Sequence, residues 1–381
     1  MDPGQRMDRG PAQEPEQPGE QPGRTPRIGL LAQAPGAPLT SSAWIRLLLP
    51  LGLLQRQEGW ELLQLPPLSA PAGAAELPAE LDGLIVQRAA CPSLELAECL
   101  LSTCRQRRIP VLLDLDDALF ALPEDHPERQ RYGPMLPALD RLLAAADLRV
   151  FSTANLAELC RQRLRQQGLN PGPDVVVPNG LDAHTWAGKV RFPQAAGEGP
   201  LQLLYMGSRT HAADLAPVLD ELDHLAGRQA EAFRLTLIGG MESAPRRPWL
   251  EVLDVPLEAR RYPRFVRWLR QHLPRHDLGL APLATNPFNA AKSDVKLLDY
   301  AALGLPSLCS PGPAYQQQID AGLALAAPPG HWAERVTWAA RHRRQLRRLA
   351  QAAHHQLDQQ RSSARTAATW AELLRPLARP S

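Results

Sequence analysis

Two periodicities alternate along the chain. Short runs rich in leucine, isoleucine and valine predict strands at residues 28–32, 61–65, 83–87, 111–115, 148–152 and 175–178. Between them apolar positions return at helical spacing, most clearly over 41–57, 94–107, 134–146 and 155–166. Such alternation builds a parallel sheet covered by helices. After Asp182 the pattern lapses into Gly188, Pro193, Gly197, Gly199 and Pro200, as an inter-domain linker does. A second series follows. Its strands are predicted at 201–206, 234–238, 251–255, 278–282, 307–310 and 323–326, and its helices at 213–227, 262–273, 293–303 and from His331 onward. The predicted architecture is α/β, with two doubly wound domains whose strand C-termini face one cleft, where ligands of such sheets bind.

Composition alters this picture at its edges. The first 26 residues hold six prolines, four glycines and four glutamines, with only Met1, Met7 and Ala12 apolar. They read as a disordered tail without a secretory signal. No apolar run approaches the roughly 20 residues of a spanning helix, since 47–54 is interrupted by Pro50. The five cysteines form no C-x-x-C pair, and an odd count closes no disulfide framework, so a reducing, cytoplasmic setting is expected. Lys+Arg 42 against Asp+Glu 40 gives a net charge of +2, which excludes an obligate polyanion binder. Only Lys189, Lys292 and Lys296 are lysines, against 39 arginines, so each lysine is a rare choice.

The strand ends lack the common nucleotide devices: no G-x-G-x-x-G follows the first strand, and neither a P-loop nor a G-x-S-x-G elbow occurs. Lys292, Lys296 and Asp299 stand at i, i+4 and i+7 where a strand end runs into a helix. That face suits a diphosphate, with the acid placed for ribose hydroxyls. It suits equally a solvated face with a Lys296–Asp299 ion pair worth about 0–1 kcal/mol. Gly207, Ser208, Arg209, Thr210 and His211 leave another strand, where backbone amides could cradle a phosphate, or Thr210 or Ser208 could cap the next helix. Asp114, Asp116 and Asp117 end a first-domain strand, a spacing that serves either a divalent metal or loop capping. His354 and His355 point to different helix faces and make no metal pair. The basic run 341–348 fits an anionic lipid surface or a solvated face.

The ordered segments Val86-Gln87-Arg88, Asp114-Leu115-Asp116-Asp117, Phe151-Ser152-Thr153, Val177-Pro178-Asn179-Gly180, Tyr205-Met206-Gly207-Ser208, Phe288-Asn289, Lys292-Ser293, Lys296, Asp299-Tyr300 and Gly304-Leu305-Pro306 resemble those of bacterial GT-B glycosyltransferases. The resemblance is to the group 1, family 4-like type, especially its surface-polysaccharide subgroup. It implies a Rossmann-like acceptor domain at 27–182, a linker at 183–200 and a Rossmann-like nucleotide-sugar domain at 201–355. Residues 356–381 would include a last helix, at 364–377, crossing back to the first domain.

The same resemblance implies catalytic roles for Lys292, Lys296 and His211, and donor contacts from Gly207, Ser208, Arg209, Ser293, Asp299 and Tyr300. Asp116, Asp117 and Asn179 would line the acceptor side of the cleft. No metal or other cofactor is implied beyond a nucleotide diphosphate sugar as co-substrate. The implied partners are that donor and a saccharide or lipid-linked acceptor, with no nucleic acid, at a cytoplasmic site that extends to the inner face of the membrane. Two departures stand out. The family's Glu-x7-Glu places are Ala291 and Asp299, and its Arg and Lys after the Gly207 strand are missing, so Arg209, His211, Lys292 and Lys296 are expected to supply that charge. The expected reaction is glycosyl transfer with retention, in polysaccharide synthesis; the alternatives are an inactive nucleotide-sugar-binding protein and a nucleotide-sugar epimerase.

Overall fold

The computed structural model describes residues 25–197 and 199–378, so the tail expected at 1–26 lies outside the described residues apart from Thr25 and Pro26. The first sheet comprises β1 (Arg27–Leu31), β2 (Glu61–Gln64), β3 (Gly83–Gln87), β4 (Val111–Leu115), β5 (Leu148–Phe151) and β6 (Asp174–Val176), in the order β2-β1-β3-β4-β5-β6. The second comprises β7 (Leu201–Gly207), β8 (Phe233–Gly239), β9 (Leu250–Val252), β10 (Leu278–Ala281), β11 (Ser307–Cys309) and β12 (Leu325–Ala326), in the order β12-β11-β10-β7-β8-β9. Every pairing is parallel. All twelve predicted strands form, and the α/β, doubly wound class holds. β3 and β4 are buried along their whole length, as strands covered by helices on both faces must be. Strand order reverses at β1/β3 and at β7/β10, and these switch points open crevices at the strand C-termini.

The helix predicted at 41–57 is broken into α1 (Ser41–Ala43), a π turn (Trp44–Leu48) and α2 (Leu49–Glu58). Pro50 has no N–H for the Arg46 carbonyl four residues back. Trp370 Nε1 supplies a donor to that carbonyl at 3.0 Å. The other helices used below are α3 (Leu94–Gln106), α4 (Leu136–Ala145), α5 (Ala154–Gln166), α6 (Ala212–Arg228), α7 (Arg264–His272), α8 (Val295–Leu303), α9 (Trp332–Arg341), α10 (Arg343–Gln360) and α11 (Ser363–Leu374). Ser93 and Thr153 cap α3 and α5 through their hydroxyl oxygens.

The chain crosses between the lobes twice. Leu181 N donates to Arg361 O and Ser363 N to Leu181 O, both at 2.8 Å, which ties the two crossings together. Gly180 sits so close that a Cβ would lie 2.5 Å from Ser362 O, so only glycine fits there. Beyond the second crossing α11 lies on the first lobe, where Ala367, Trp370, Ala371 and Leu374 join a core with Ile28, Leu47, Leu51 and Ile85. The segment between β6 and β7 is pinned by arginines of the second lobe: Arg270, Arg275, Arg347 and Arg343 donate to the carbonyls of Lys189, Phe192, Pro193 and Gly199. Part of the basic run 341–348 is therefore spent on that segment. Among the described residues no helix is long and apolar enough to cross a membrane.

Candidate active site

A cavity of about 180 Å³ lies where the two crevices meet, lined from the first lobe by Ser42, Arg46, Asp116, Asp117 and Asn179, and from the second by His211, Lys292, Ser293, Lys296 and Tyr315. The segment ahead of α8 closes it. Asn286 Oδ1 accepts from Asn289 N and opens a single turn, Pro287–Ala290, that carries Phe288 and Ala291 into the first-lobe core. Thr153 Oγ1 donates to Ala291 O at 2.9 Å, and Asn179 Nδ2 to Ser293 Oγ at 2.8 Å, so both lobes hold this segment. Ala291, at one of the two places where the resemblance would put glutamate, is thus packed against the opposite lobe and brings no charge.

Both lysines of the predicted pattern face the cavity. Lys292 Nζ lies 4.4 Å above the Phe288 ring. Lys296 Nζ lies 4.3 Å above the Tyr205 ring and donates to its hydroxyl at 3.1 Å. No carboxylate pairs with either lysine among the described residues, so the solvated face with a Lys296–Asp299 ion pair does not form. Burial, with Lys292 nearby, pushes the Lys296 ammonium down to about 7. Gly207 leaves room for it, since a Cβ there would lie 3.3 Å from Nζ and 2.9 Å from the Tyr205 hydroxyl.

Asp299 is one turn further along α8. Its Oδ1 is buried without a hydrogen-bond partner, and burial pushes its carboxyl up to about 7. Tyr300, expected as a donor contact, is fully buried; its hydroxyl donates to Leu280 O at 2.8 Å and accepts from Met206 N at 3.3 Å. That corrects the expectation: the phenol stitches β7 to β10 and has no free group for a ligand.

After β7 the N-cap expectation is also corrected. His211 occupies the N-cap of α6 without a capping side-chain bond, and Ser208 and Thr210 bond each other at 2.8 Å. Arg209 is exposed, with no side-chain partner among the described residues. His211 Nδ1 meets Asp214 Oδ2 at 2.7 Å, while Asp214 Oδ1 accepts from Ala284 N and Asn289 Nδ2, each at 2.8 Å. These donors hold the Asp214 carboxyl below its ordinary value despite burial. Burial and the lysines push His211 down to about 4. A neutral ring whose Nδ1–H faces a carboxylate keeps Nε2 as a hydrogen-bond acceptor. His211 is therefore suited to a hydroxyl more than to a phosphate.

The acids of the first lobe are matched by arginines. Asp114 is buried against Arg46, whose Nε lies 2.9 Å from Oδ2 and whose Nη1 donates to Val177 O and Asn179 Oδ1. Arg88 holds Asp117 at 3.0 Å and approaches Asp116 at 3.3 Å. Burial raises the Asp116 carboxyl, whereas Lys292 and Arg88 outweigh burial and lower that of Asp117. Arginines engage Asp114 and Asp117, whereas Asp116 Oδ1 and Arg88 Nε, 3.3 Å apart, are buried without a hydrogen bond. Across the crossing, Arg361 grips Asp294 with two bonds of 2.7 Å and donates to Asn179 O. Sequence reasoning passed over Arg46, Arg88, Asp214 and Arg361 as site residues. Arginine is too common here to stand out, and Arg46, Arg88 and Arg361 meet their carboxylates from distant segments; Asp214 adjoins His211, but its other donors, Ala284 N and Asn289 Nδ2, are distant.

Two doubly wound parallel sheets facing one cleft define a two-lobed α/β architecture, and solved structures share it. The GT-B glycosyltransferase fold is shared with Anabaena HepE, solved in complex with UDP-glucose, at TM-score 0.61 and 12% identity over 92% of this chain and 99% of that one. The chain is also similar to the Burkholderia vietnamiensis α,α-trehalose-phosphate synthase (UDP-forming), at TM-score 0.53 and 13% identity over 80% and 77% of the two chains. Similarity to the pneumococcal O-GlcNAc transferase GtfA, in complex with UDP and GlcNAc, has TM-score 0.53 and 12% identity over 81% of this chain, which spans 59% of GtfA. No protein-family model and no curated protein matches the chain.

Proposed function

We infer that the protein transfers a glycosyl group from a nucleotide diphosphate sugar to a saccharide or lipid-linked acceptor. The observation that carries this reading is the pair Lys292 and Lys296, two ammonium groups without carboxylate partners set into the gap between the lobes. When the anomeric C–O bond breaks, its electron pair stays on the diphosphate. Positive charge prearranged at that oxygen lowers the barrier more than it aids substrate binding. Lys292 and Lys296 supply this charge, and amides after Gly207 add to it. Ser293 borders the same phosphates. Asp299, with Oδ1 unsatisfied, accepts from ribose hydroxyls, and His211 Nε2 from a sugar hydroxyl. Asp116, Asp117 and Asn179 receive the acceptor, whose attacking hydroxyl closes the new glycosidic bond and passes its proton to the departing diphosphate oxygen. Retention, hexosyl transfer and a role in surface-polysaccharide synthesis at the inner face of the cytoplasmic membrane complete the reading, with no metal or other cofactor required.

The cavity of about 180 Å³ is smaller than the roughly 300–1,000 Å³ of small-ligand sites, so the lobes separate to admit a donor. Ala291 favours a second reading, a binding protein that has kept the cleft without catalysis. A panel of nucleotide sugars separates these. Ligand-dependent thermal stabilisation followed by acceptor-dependent release of nucleoside diphosphate supports transfer. Stabilisation without release supports binding alone, and release without acceptor supports an epimerase.

A further inference from the structure

Helix α7 and the turn before it present a surface that the cleft does not use. Between Glu258 and Asp277 the chain carries six arginines, at 260, 261, 264, 267, 270 and 275, and no acid. None of the six is in an ion pair among the described residues. The side-chain bonds of Arg260, Arg270 and Arg275 run only to backbone carbonyls. Arginines elsewhere, such as Arg46, Arg88, Arg161 and Arg361, do find carboxylates, so the lack is local and not a consequence of an arginine-rich composition.

Val266 and Leu269 bury the inner face of α7, which leaves Arg264 and Arg267 exposed on the outer one. Beside them Phe265, Trp268 and His272 stack in series, with ring centroids 6.2 and 5.6 Å apart. Leu257, in the 3-10 turn packed against α7, is 76% exposed, and Val252 just upstream is 48% exposed; no other large aliphatic among the described residues is more exposed than these two. Exposed Glu251, Asp254 and Glu258 flank them, so the cationic surplus lies on α7 and the turn before it. Where α7 ends, Lys189, Arg191, Arg270 and Arg275 line a cavity of about 270 Å³ that no carboxylate enters.

Unpaired arginines suit anionic phosphates, and an aromatic ridge beside exposed aliphatics suits the layer between headgroups and acyl chains. A nucleic acid would use the cations and the rings but has no use for Leu257 and Val252. We propose that this face docks the protein on an anionic lipid bilayer, with the arginines against headgroup phosphates and Leu257 and Trp268 in the interfacial layer. The inference deepens the membrane-face location in the proposed function by naming the surface that makes the contact, and it stands whether or not the cleft is catalytic.

The test is sedimentation of the full-length protein with phosphatidylcholine vesicles, with and without phosphatidylglycerol. Binding is expected only with phosphatidylglycerol, weakening as salt rises. The double variant R264E/R267E should lose about tenfold or more in vesicle affinity. L257D should weaken binding without changing its salt dependence. R344E/R348E, the same charge change on exposed arginines of α10, should leave binding intact. Circular dichroism and melting temperature identify any variant that fails to fold, and the separate L257D readout then carries the test. Absence of wild-type binding, or an equal loss from R344E/R348E, would overturn the proposal. So would single-stranded RNA binding, unaffected by L257D, in place of vesicle binding.

Discussion

Arg46 and Lys296 look at the same cavity from opposite lobes, and the protein treats the two cations differently. Arg46 is 1% exposed and fully engaged, with Asp114, Val177 O and Asn179 Oδ1 around its guanidinium. Lys296 has only the phenol and ring face of Tyr205 as direct partners, and the repulsion from Lys292 exceeds the pull of either Asp214 or Asp299. A buried charge costs free energy unless paired. The first arrangement meets that cost locally and holds the π turn, β4 and the 177–179 crossing together. The second leaves it unmet, and on the proposed reading that unmet charge is where the diphosphate binds while the Arg46–Asp114 pair is part of its frame.

Breaking the balanced side should produce the largest effect. Arg46→Met leaves Asp114 buried without a cation, with Gln87 Nε2 as its remaining side-chain donor, and should cost about 3–5 kcal/mol in urea unfolding, whereas Arg46→Met with Asp114→Leu should recover most of that loss. Removing charge on the unbalanced side should do the reverse. Lys296→Met should lower turnover by about 10²–10³-fold, comparable with deleting one oxyanion donor, with no loss of melting temperature.

The pH dependence of stability sharpens the contrast. In the folded protein Lys296 titrates at about 7, below its ordinary 10.5, so the unfolded chain binds the extra proton and stability rises as pH climbs from 7 towards 10. Asp299 titrates at about 7, above its ordinary 3.8. The native state therefore holds a proton that the unfolded chain loses, and this contribution, present below pH 4, disappears by pH 7. Together they give a shallow minimum near neutrality in denaturation midpoints. Lys296→Met should flatten the alkaline limb and Asp299→Asn the acid limb. The smallest effect belongs to Tyr300→Phe, which should cost about 1 kcal/mol for the lost bond to Leu280 O and leave turnover unchanged.

The strands were legible because their apolar runs are continuous and helices cover both faces. The ends were less so, and Pro178 and Pro282 stop β6 and β10 short of the predicted bounds. Lys292 and Lys296 stood out through rarity and spacing. Tyr300 shares their segment and adjoins Asp299, but α8 turns it inward, and a motif match does not say which face of a helix a residue takes. The Arg46–Asp114 pair spans 68 positions and the Arg361–Asp294 pair 67, and no local pattern announces contacts at such range. The interruption at Trp44–Leu48 was legible only in part: Pro50 withholds a donor from Arg46 O, but the donor that replaces it, Trp370 Nε1, is 324 positions away.

The most direct test of the diphosphate site is calorimetric binding of UDP and UMP to the wild type and to Lys296→Met. The account predicts that the variant loses about tenfold or more in UDP affinity, by forfeiting a charge-assisted contact worth roughly 1.5–3 kcal/mol, while UMP affinity changes little. Equal UDP affinity in the two proteins would contradict it.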